Sequence, residues 1–276
     1  MSEKKKGCIR LMSWNVNSVR ARLDLIGRVI DEYAPDILCL QETKAMDDVF
    51  PMPWFEERGF RCNAIRGQKS YNGVAILARG AAVGPDSAGS AENIDWCERG
   101  DARHISVGLP GGVTLHNFYV PAGGDVPDPT VNDKFAHKLQ FLDEMIAWSG
   151  GLTGPAILVG DLNVAPEECD VWSHKALLKI VSHTPVETDR LRALQKAHGW
   201  VDAVRQQFPA PEKIYSWWSY RSPDWAKADK GRRLDHIWLS PAIEKTLVHV
   251  QVARDARGWE KPSDHAPLMV DLRLPA

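Results

Sequence analysis

Short runs of aliphatic, β-branched and aromatic residues recur along the chain at 9–14, 36–40, 74–78, 104–109, 113–120, 156–159, 234–239, 247–252 and 268–272. Runs of this length bounded by turn formers predict strands, and nine of them imply a large sheet system. Between some of them the period changes. Leu23, Ile26, Ile30 and Tyr33 fall at i, i+3, i+7 and i+10, and Phe135, Leu139, Leu142 and Ile146 at i, i+4, i+7 and i+11. Each set predicts a helix with one apolar face to lay on a sheet. A third helical stretch covers about 187–198, where Leu191 and Leu194 stand three apart. No Pro-, Ser- or Gly-rich linker long enough to separate domains interrupts the pattern, so one domain over 9–276 is expected behind a short basic tail over 1–8. Strands from both halves with helices outside predict two mixed sheets packed face to face and covered on their outer faces, a four-layer α/β sandwich. The periodicity supports the layers and leaves the strand order open.

Polar residues cluster where these strands end: Asn15 after 9–14, Glu42 after 36–40, and Asp161 and Asn163 after 156–159. A rim of loops over a rigid sandwich lets such groups converge without being buried unpaired. Asp161 and Asn163 lie two apart, so an extended segment turns both to one side. Asp235 and the Asp264-His265 pair add carboxylates and an imidazole. One carboxylate can fix the tautomer of His265 while the other approaches a cation. Tyr119, just before Pro121, offers a hydroxyl to a rim group. Taken singly, each has a bland reading: solvation or capping for Glu42, an Asx turn for Asp161 and Asn163, packing for Tyr119, a structural imidazole for His265.

Composition and charge narrow the classes. With 276 residues, 44% hydrophobic and 25% charged, the chain has the make-up of an ordinary globular protein. Its apolar runs fall far short of the roughly 20 residues that span a bilayer. The three lysines of the first seven residues precede no export-type segment, so a cytoplasmic protein with no membrane partner is expected. Five scattered cysteines without a CxxC pair suggest neither a disulfide framework nor a zinc site. A net charge of −2 argues against nonspecific coating of nucleic acid but permits a local basic groove. Arg20, Arg22, Arg66, Lys69, Arg221 and the cluster at 227–233 are its candidates, with a solvated face as the alternative.

Six segments then stand out in order: SWNVNS (13–18), LQETK (40–44), NFYVP (117–121), GDLNVAP (160–166), RRLDHIWLS (232–240) and PSDHAP (262–267). Together they resemble the exonuclease III family of AP endonucleases over nearly the whole chain. The resemblance implies a DNase I-like sandwich and a Mg2+-dependent phosphodiesterase, with Mn2+ able to substitute. It also implies incision of double-stranded DNA 5' to abasic sites, with 3'–5' exonuclease and 3'-phosphatase or phosphodiesterase action on blocked 3' ends, by a monomer in base excision repair.

Residue by residue, the resemblance makes Glu42 the principal metal ligand beside Asn15 and Asp264, with Asp161, Asn163 and His265 also counted on the metal side. Asp161 orients or deprotonates the attacking water, and Asn163 stabilises the transition state. His265, paired with Asp235, binds phosphate as imidazolium or acts as base. Tyr119 donates to a phosphate oxygen or protonates the leaving group. Asn72, Arg103, Trp217, Arg221 and Arg232 are implied substrate contacts, with Trp217, Trp218, Tyr220 and Arg221 around a pocket for a flipped, base-free sugar.

Two departures accompany the match. Ala122-Gly123-Gly124-Asp125 stands where many relatives carry an amide that touches phosphate or enters the duplex, and Arg232 occupies a place where some have an aromatic wall. Two other readings remain: a related metal-dependent phosphoesterase acting on another phosphodiester, or an idle DNA-binding module of the same fold. Val164-Ala165-Pro166 after GDLN departs from the aromatic and basic residues typical of inositol phosphatases, and secreted nucleases would need an export signal and usually disulfides.

Overall fold

In the longer strands, neighbouring apolar residues part company, one turning toward a second sheet and the next toward a helix. The computed structural model describes residues 4–80 and 94–274, with the backbone alone at 62 and 63. Its strands are β1 (Ile9–Asn15), β2 (Ile37–Gln41), β3 (Phe60–Arg66), β4 (Val74–Arg79), β5 (His104–Leu109), β6 (Val113–Tyr119), β7 (Ala156–Asp161), β8 (Val201–Asp202), β9 (Trp217–Trp218), β10 (Gly231–Arg232), β11 (Asp235–Leu239), β12 (Leu247–Val252) and β13 (Leu268–Leu272). They form a six-stranded sheet in the order β12-β13-β1-β2-β4-β3, a five-stranded sheet in the order β5-β6-β7-β11-β8, and a β10-β9 ribbon.

Leu11, Ile37, Cys39, Val74 and Ile76 of the first sheet meet Ile105, Leu115, Ile157, Val159, Ile237 and Leu239 of the second in one buried layer. The alternate residues Met12, Leu38, Leu40 and Leu77 pack outward beneath the helix Leu23–Tyr33. Phe118, Leu158 and Trp238 pack outward beneath the helices Asp133–Gly151 and Pro185–His198. Strands covered on both faces need apolar residues at successive positions, which is why they read as continuous hydrophobic runs. The result is the expected four-layer α/β sandwich.

All nine expected strands are present within about two residues of their predicted ends. The edge strand β3 was not expected, because FRCNAIR mixes polar and apolar positions and its register shifts between Cys62 and Ala64. One helical face also divides. Leu142 packs on the sheet side with Phe141 and Met145, whereas Phe135 and Leu139 cluster with Val181. The helix Pro185–His198 begins in a capping box of Thr184 and Glu187 and ends at Gly199 in the left-handed conformation. At the start of the chain Lys4 pairs with Asp36, and Arg10 closes a buried ion pair on Asp271. Among the described residues, no helix is long and apolar enough to cross a membrane.

Two pairings in the sandwich are parallel: β1 with β2 across the helix Leu23–Tyr33, and β6 with β7 across the helix Asp133–Gly151. These β-α-β units pack on each other through the central layer, where β1 and β2 both touch β7. Both bring the C-terminal ends of their strands to loops, where open α/β sheets place their ligands.

The outer face of the second sheet also buries two imidazoles. His104 Nε2 lies 3.2 Å from His116 Nδ1, and the His104 ring stacks on Phe118 at 4.1 Å. Burial pushes both pKa values down, His116 to about 3, with each further disfavoured by a neighbouring histidine. The unfolded chain therefore takes up protons below about pH 6.5 that the folded chain refuses. The stability these two histidines contribute by staying neutral should be full above that pH and fall as pH drops from about 6.5 toward 3. Urea unfolding of a His116→Leu variant should show a shallower decline over that range; an unchanged slope would exclude His116 as a source of it.

Candidate active site

The site is the continuation of the inter-sheet core. Inward positions that are apolar along each strand become polar at one end: Leu11 leads to Asn15, Cys39 to Gln41, Leu115 to Asn117 and Tyr119, and Val159 to Asp161. Strand register does the rest. Tyr119 lies opposite Asp161 in the parallel β6/β7 ladder, and Asp235 lies opposite Asp161 in the antiparallel β7/β11 ladder. Gly160 permits the close approach of β6 to β7, since a Cβ there would stand 1.9 Å from the Phe118 carbonyl oxygen.

Just below this polar end, Gln41 Nε2 donates to Asn117 Oδ1 across the sheets at 2.7 Å, while Asn117 Nδ2 donates to the carbonyls of Leu40 and Ala75 at 3.0 and 3.1 Å. Above it, Asn15 joins both halves: its Nδ2 donates to Asp161 Oδ2 at 2.9 Å and to Glu42 Oε1 at 3.2 Å, while its Oδ1 accepts the Asn17 amide at 3.0 Å. The Tyr119 hydroxyl donates to Glu42 Oε1 at 2.6 Å, and Lys44 Nζ lies 2.9 Å from Glu42 Oε2. Glu42, Lys44 and Asn163 all hold positive φ, a strained backbone that the surrounding hydrogen bonds maintain. The Asn163 backbone amide closes an Asx-type turn by donating to Asp161 Oδ1 at 3.0 Å. Its side-chain nitrogen reaches Asp161 Oδ2 at 3.1 Å and the Val120 carbonyl at 2.9 Å.

His265 Nδ1 lies 2.8 Å from Asp235 Oδ2 and Nε2 lies 3.6 Å from Asp161 Oδ2. Its backbone is fixed too: Trp14 Nε1 donates to its carbonyl at 3.0 Å, and the Ser263 hydroxyl accepts its amide at 3.2 Å. Ser216 Oγ accepts the amides of Leu234 and Asp235, each at 3.1 Å. Asp264 takes a different path, its Oδ2 accepting Trp217 Nε1 at 3.0 Å.

A cavity of about 870 Å3 opens here, lined by Glu42, Asp161, Asn163, Asp264 and His265 and also by Trp217, Arg221 and Arg232. The structure sets Asn72 and Arg103 behind this wall. Asn72 is buried, donating to Gln68 Oε1 at 2.8 Å and accepting the Lys44 amide at its carbonyl at 2.9 Å. Arg103 donates to the Tyr119 carbonyl at 3.2 Å and lies 4.9 Å from the Tyr119 ring, so it steadies that ring from behind. Of the basic cluster at 227–233, Arg233 belongs to no surface groove: it is buried and closed by Asp170 and Asp202.

Burial pushes the Glu42 carboxyl up, but hydrogen bonds from Tyr119, Lys44 and Asn15 and the Lys44 charge outweigh it and leave the pKa below its ordinary value. Tyr119 moves the other way, well up, through burial and then the charges of Glu42 and Asp161. It is a standing hydrogen-bond donor. Burial would depress His265, yet Asp235 and Asp161 together raise it to about 10. Burial raises Asp161 to about 7 against the pull of His265. The geometry favours a charged His265 between two carboxylates, with Asp161 poised to exchange a proton near neutral pH.

The donor set suits a hard divalent cation. Glu42, Asp161 and Asp264 bring carboxylate oxygens to one cavity, and Asp235 Oδ1 is a buried acceptor without a hydrogen-bond partner. Ligand atoms of Asp161, Asp235 and His265 also lie within 4.8 Å of one another. Since the Asp235–His265 hydrogen bond already occupies one ligand atom of each, that pair is better built to handle protons, and the cavity-lining carboxylates of Glu42, Asp161 and Asp264 to hold a cation.

Several residues had no role assigned from sequence. Trp14, Gln41, Asn117 and Ser263 sit within the quoted motifs and Ser216 directly precedes Trp217, so proximity was their signal. Lys138 had none. Fully buried on the helix Asp133–Gly151, it pairs with Glu187 and donates to the carbonyls of Asn163 at 2.7 Å and Ala122 at 3.4 Å. It thereby ties the loops after β7 and β6 to one point.

The model of the Endonuclease/Exonuclease/phosphatase family matches residues 12–265. Exodeoxyribonuclease III of Haemophilus influenzae is 30% identical over 274 residues, covering 96% of this chain and 100% of that protein. An AP endonuclease structure from Archaeoglobus fulgidus superposes with a TM-score of 0.85 at 30% identity, over 96% of this chain and 100% of the other. A variant of the 3' phosphatase NExo from Neisseria, bound to a product DNA hairpin, gives a TM-score of 0.83 at 30% identity over 96% and 99% of the two chains.

Lys138→Met should cost about 3–5 kcal/mol in denaturant unfolding, because it strands Glu187 buried and charged. Adding Glu187→Gln should recover part of that loss; no loss in the single variant would refute the buried pair. In NMR titrations of the metal-free protein, the His265 ring should stay protonated beyond about pH 8, and Asp235→Asn should lower its pKa by roughly 1–3 units. Because its folded pKa is raised, the stability that His265 contributes is complete below about 6.5 and lost as pH rises toward 10.

Proposed function

The chain belongs to the Endonuclease/Exonuclease/phosphatase family, and we propose that within it the protein is a Mg2+-dependent DNA repair nuclease that cuts 5' to abasic sites and trims blocked 3' ends. It is a hydrolytic enzyme in either reading of its substrate. What carries the proposal is the continuous chain of polar contacts from Tyr119 through Glu42, Asn15 and Asp161 to the cavity-facing His265 and its partner Asp235. A chain of this kind joins cation-binding, water-activating and phosphate-binding groups around one point.

The residues divide the work by position. Glu42 and Asp264 would hold the cation with carboxylate oxygens that here meet Tyr119, Asn15, Lys44 and Trp217, and the cation would withdraw charge from the phosphate. Asp161 accepts hydrogen bonds from Asn15 and Asn163 and, with its raised pKa, is matched to take a proton from water near neutral pH. His265, charged and held by Asp235, turns Nε2 toward Asp161 and the cavity, where it can meet the oxygen on which charge develops. Asn163 and Tyr119 supply neutral donors at the same rim. Trp217 holds Asp264 with its indole N–H and gives its ring to the cavity, a surface suited to a sugar without a base. All these groups come from one chain, which fits a monomer, and the reading keeps the expected cytoplasmic location.

The test is a duplex bearing one abasic site, incubated with Mg2+, with Mn2+ and with EDTA, beside a phosphoinositide control. We expect incision 5' to the lesion with either metal, none with chelator, and no release of inorganic phosphate from the lipid. Asp161→Asn and His265→Ala should each lose at least about a thousandfold in kcat, measured on protein that circular dichroism shows to be folded. Turnover within about tenfold of the parent in either variant would dismiss the assignment.

A further inference from the structure

The two adjacent arginines of the RRLD segment have opposite fates. Arg233 is buried and neutralised, its guanidinium 2.6 Å from Asp170 and 2.7 Å from Asp202. Arg232 turns to the cavity that holds the carboxylate and histidine cluster, and among the described residues no carboxylate forms an ion pair with it. Its Nη1 donates to the Val181 carbonyl at 3.0 Å and to Ser182 Oγ at 2.8 Å, and the guanidinium lies 5.1 Å from the centre of the Trp217 ring. These contacts fix its direction without cancelling its charge. Glu187, the acid whose field reaches it, is already occupied by Lys138, Thr184 and the Ser182 amide. Asp125 lines the same cavity but makes no ion pair with Arg232.

A half-buried guanidinium held in place by neutral acceptors is a costly arrangement in the free protein and a favourable one once an anion arrives. On the nuclease reading, the scissile phosphate is served by the carboxylates and His265. We propose that Arg232, oriented by Ser182, Val181 and Trp217, forms a second anion subsite that favours substrates with a negative charge on the fragment beyond the scissile phosphate. This rests on the nuclease reading above. A bare abasic sugar has no such charge of its own. Two sources supply one: the carboxylate of a 3'-phosphoglycolate end, or the next phosphate of a continuous strand 3' to an abasic residue.

Paired substrates separate these sources. The first pair is a duplex with a 3'-phosphoglycolate end and its neutral 3'-phosphoglycolamide analogue. The second is an internal tetrahydrofuran abasic analogue followed by either a phosphate or an uncharged methylphosphonate. The parent protein should prefer the charged member of at least one pair by about tenfold in kcat/KM, the effect of one charge-assisted hydrogen bond. That preference should fall to near one in Arg232→Gln and persist in part in Arg232→Lys, which keeps the charge but loses the fork. Preference in the first pair assigns the subsite to a terminal carboxylate, and in the second to the flanking phosphate. Equal use of both members of both pairs by the parent overturns the subsite while leaving the nuclease reading intact, as does a preference that survives in Arg232→Gln. A parent that cleaves none of the four substrates removes the nuclease reading and the subsite with it. Thermal melting of both variants checks that the wall carrying Ser182 remains folded.

Discussion

Two sheets buried on both faces have to end somewhere, and where they end the central layer meets water. In this protein that layer changes character within two residues, from Cys39 and Val159 to Gln41 and Asp161. Each polar group introduced there loses hydration and must recover it in hydrogen bonds. The Gln41–Asn117 contact seals the apolar side, and Asn15 bridges Asp161 of one sheet to Glu42 at the end of the other. The geometry of the candidate site and the packing of the sheets are therefore one structure.

The same constraint explains how charge is distributed. Glu42, Asp161 and Asp235 crowd a dehydrated region, and without compensation at least one would be protonated. Lys44 and Tyr119 compensate Glu42, while His265 serves the two aspartates. Further back, Lys138 and Glu187 cancel one another and use their remaining hydrogen bonds to fix loops. Arg103 supports Tyr119 from behind in a comparable way. Against this balance of interior charge, Arg232 is a cation lining the cavity whose hydrogen-bond partners are neutral. That contrast, more than its exposure, separates it from the structural arginine next to it.

The amino-acid order determined a great deal by itself. Alternation of inward and outward residues, combined with apolar content on both, required sheets covered on both faces, and the helical periods at 23–33 and 135–146 supplied the covers. Polar residues at strand exits, in Asn15, Glu42, Asp161 and Asn163, marked where the polar cluster gathers, because strand ends are local features. Edge strand β3 has no regular pattern to read, because polar and apolar positions mix along it and its register shifts between Cys62 and Ala64.

Only the tertiary structure decided which of these groups meet. Register placed Asp235 opposite Asp161 from 74 positions away in sequence, and nothing local to either residue encodes that pairing. It likewise separated Arg232 from Arg233 and put Asn72 and Arg103 behind the cavity wall. It gave Lys138, on a plain amphipathic helix, a position beneath two site loops. Sequence spacing reports which side of an element a residue occupies. What lies across from that side depends on how distant strands pair and how sheets stack, and there the burial of a charge is either compensated or left for a ligand.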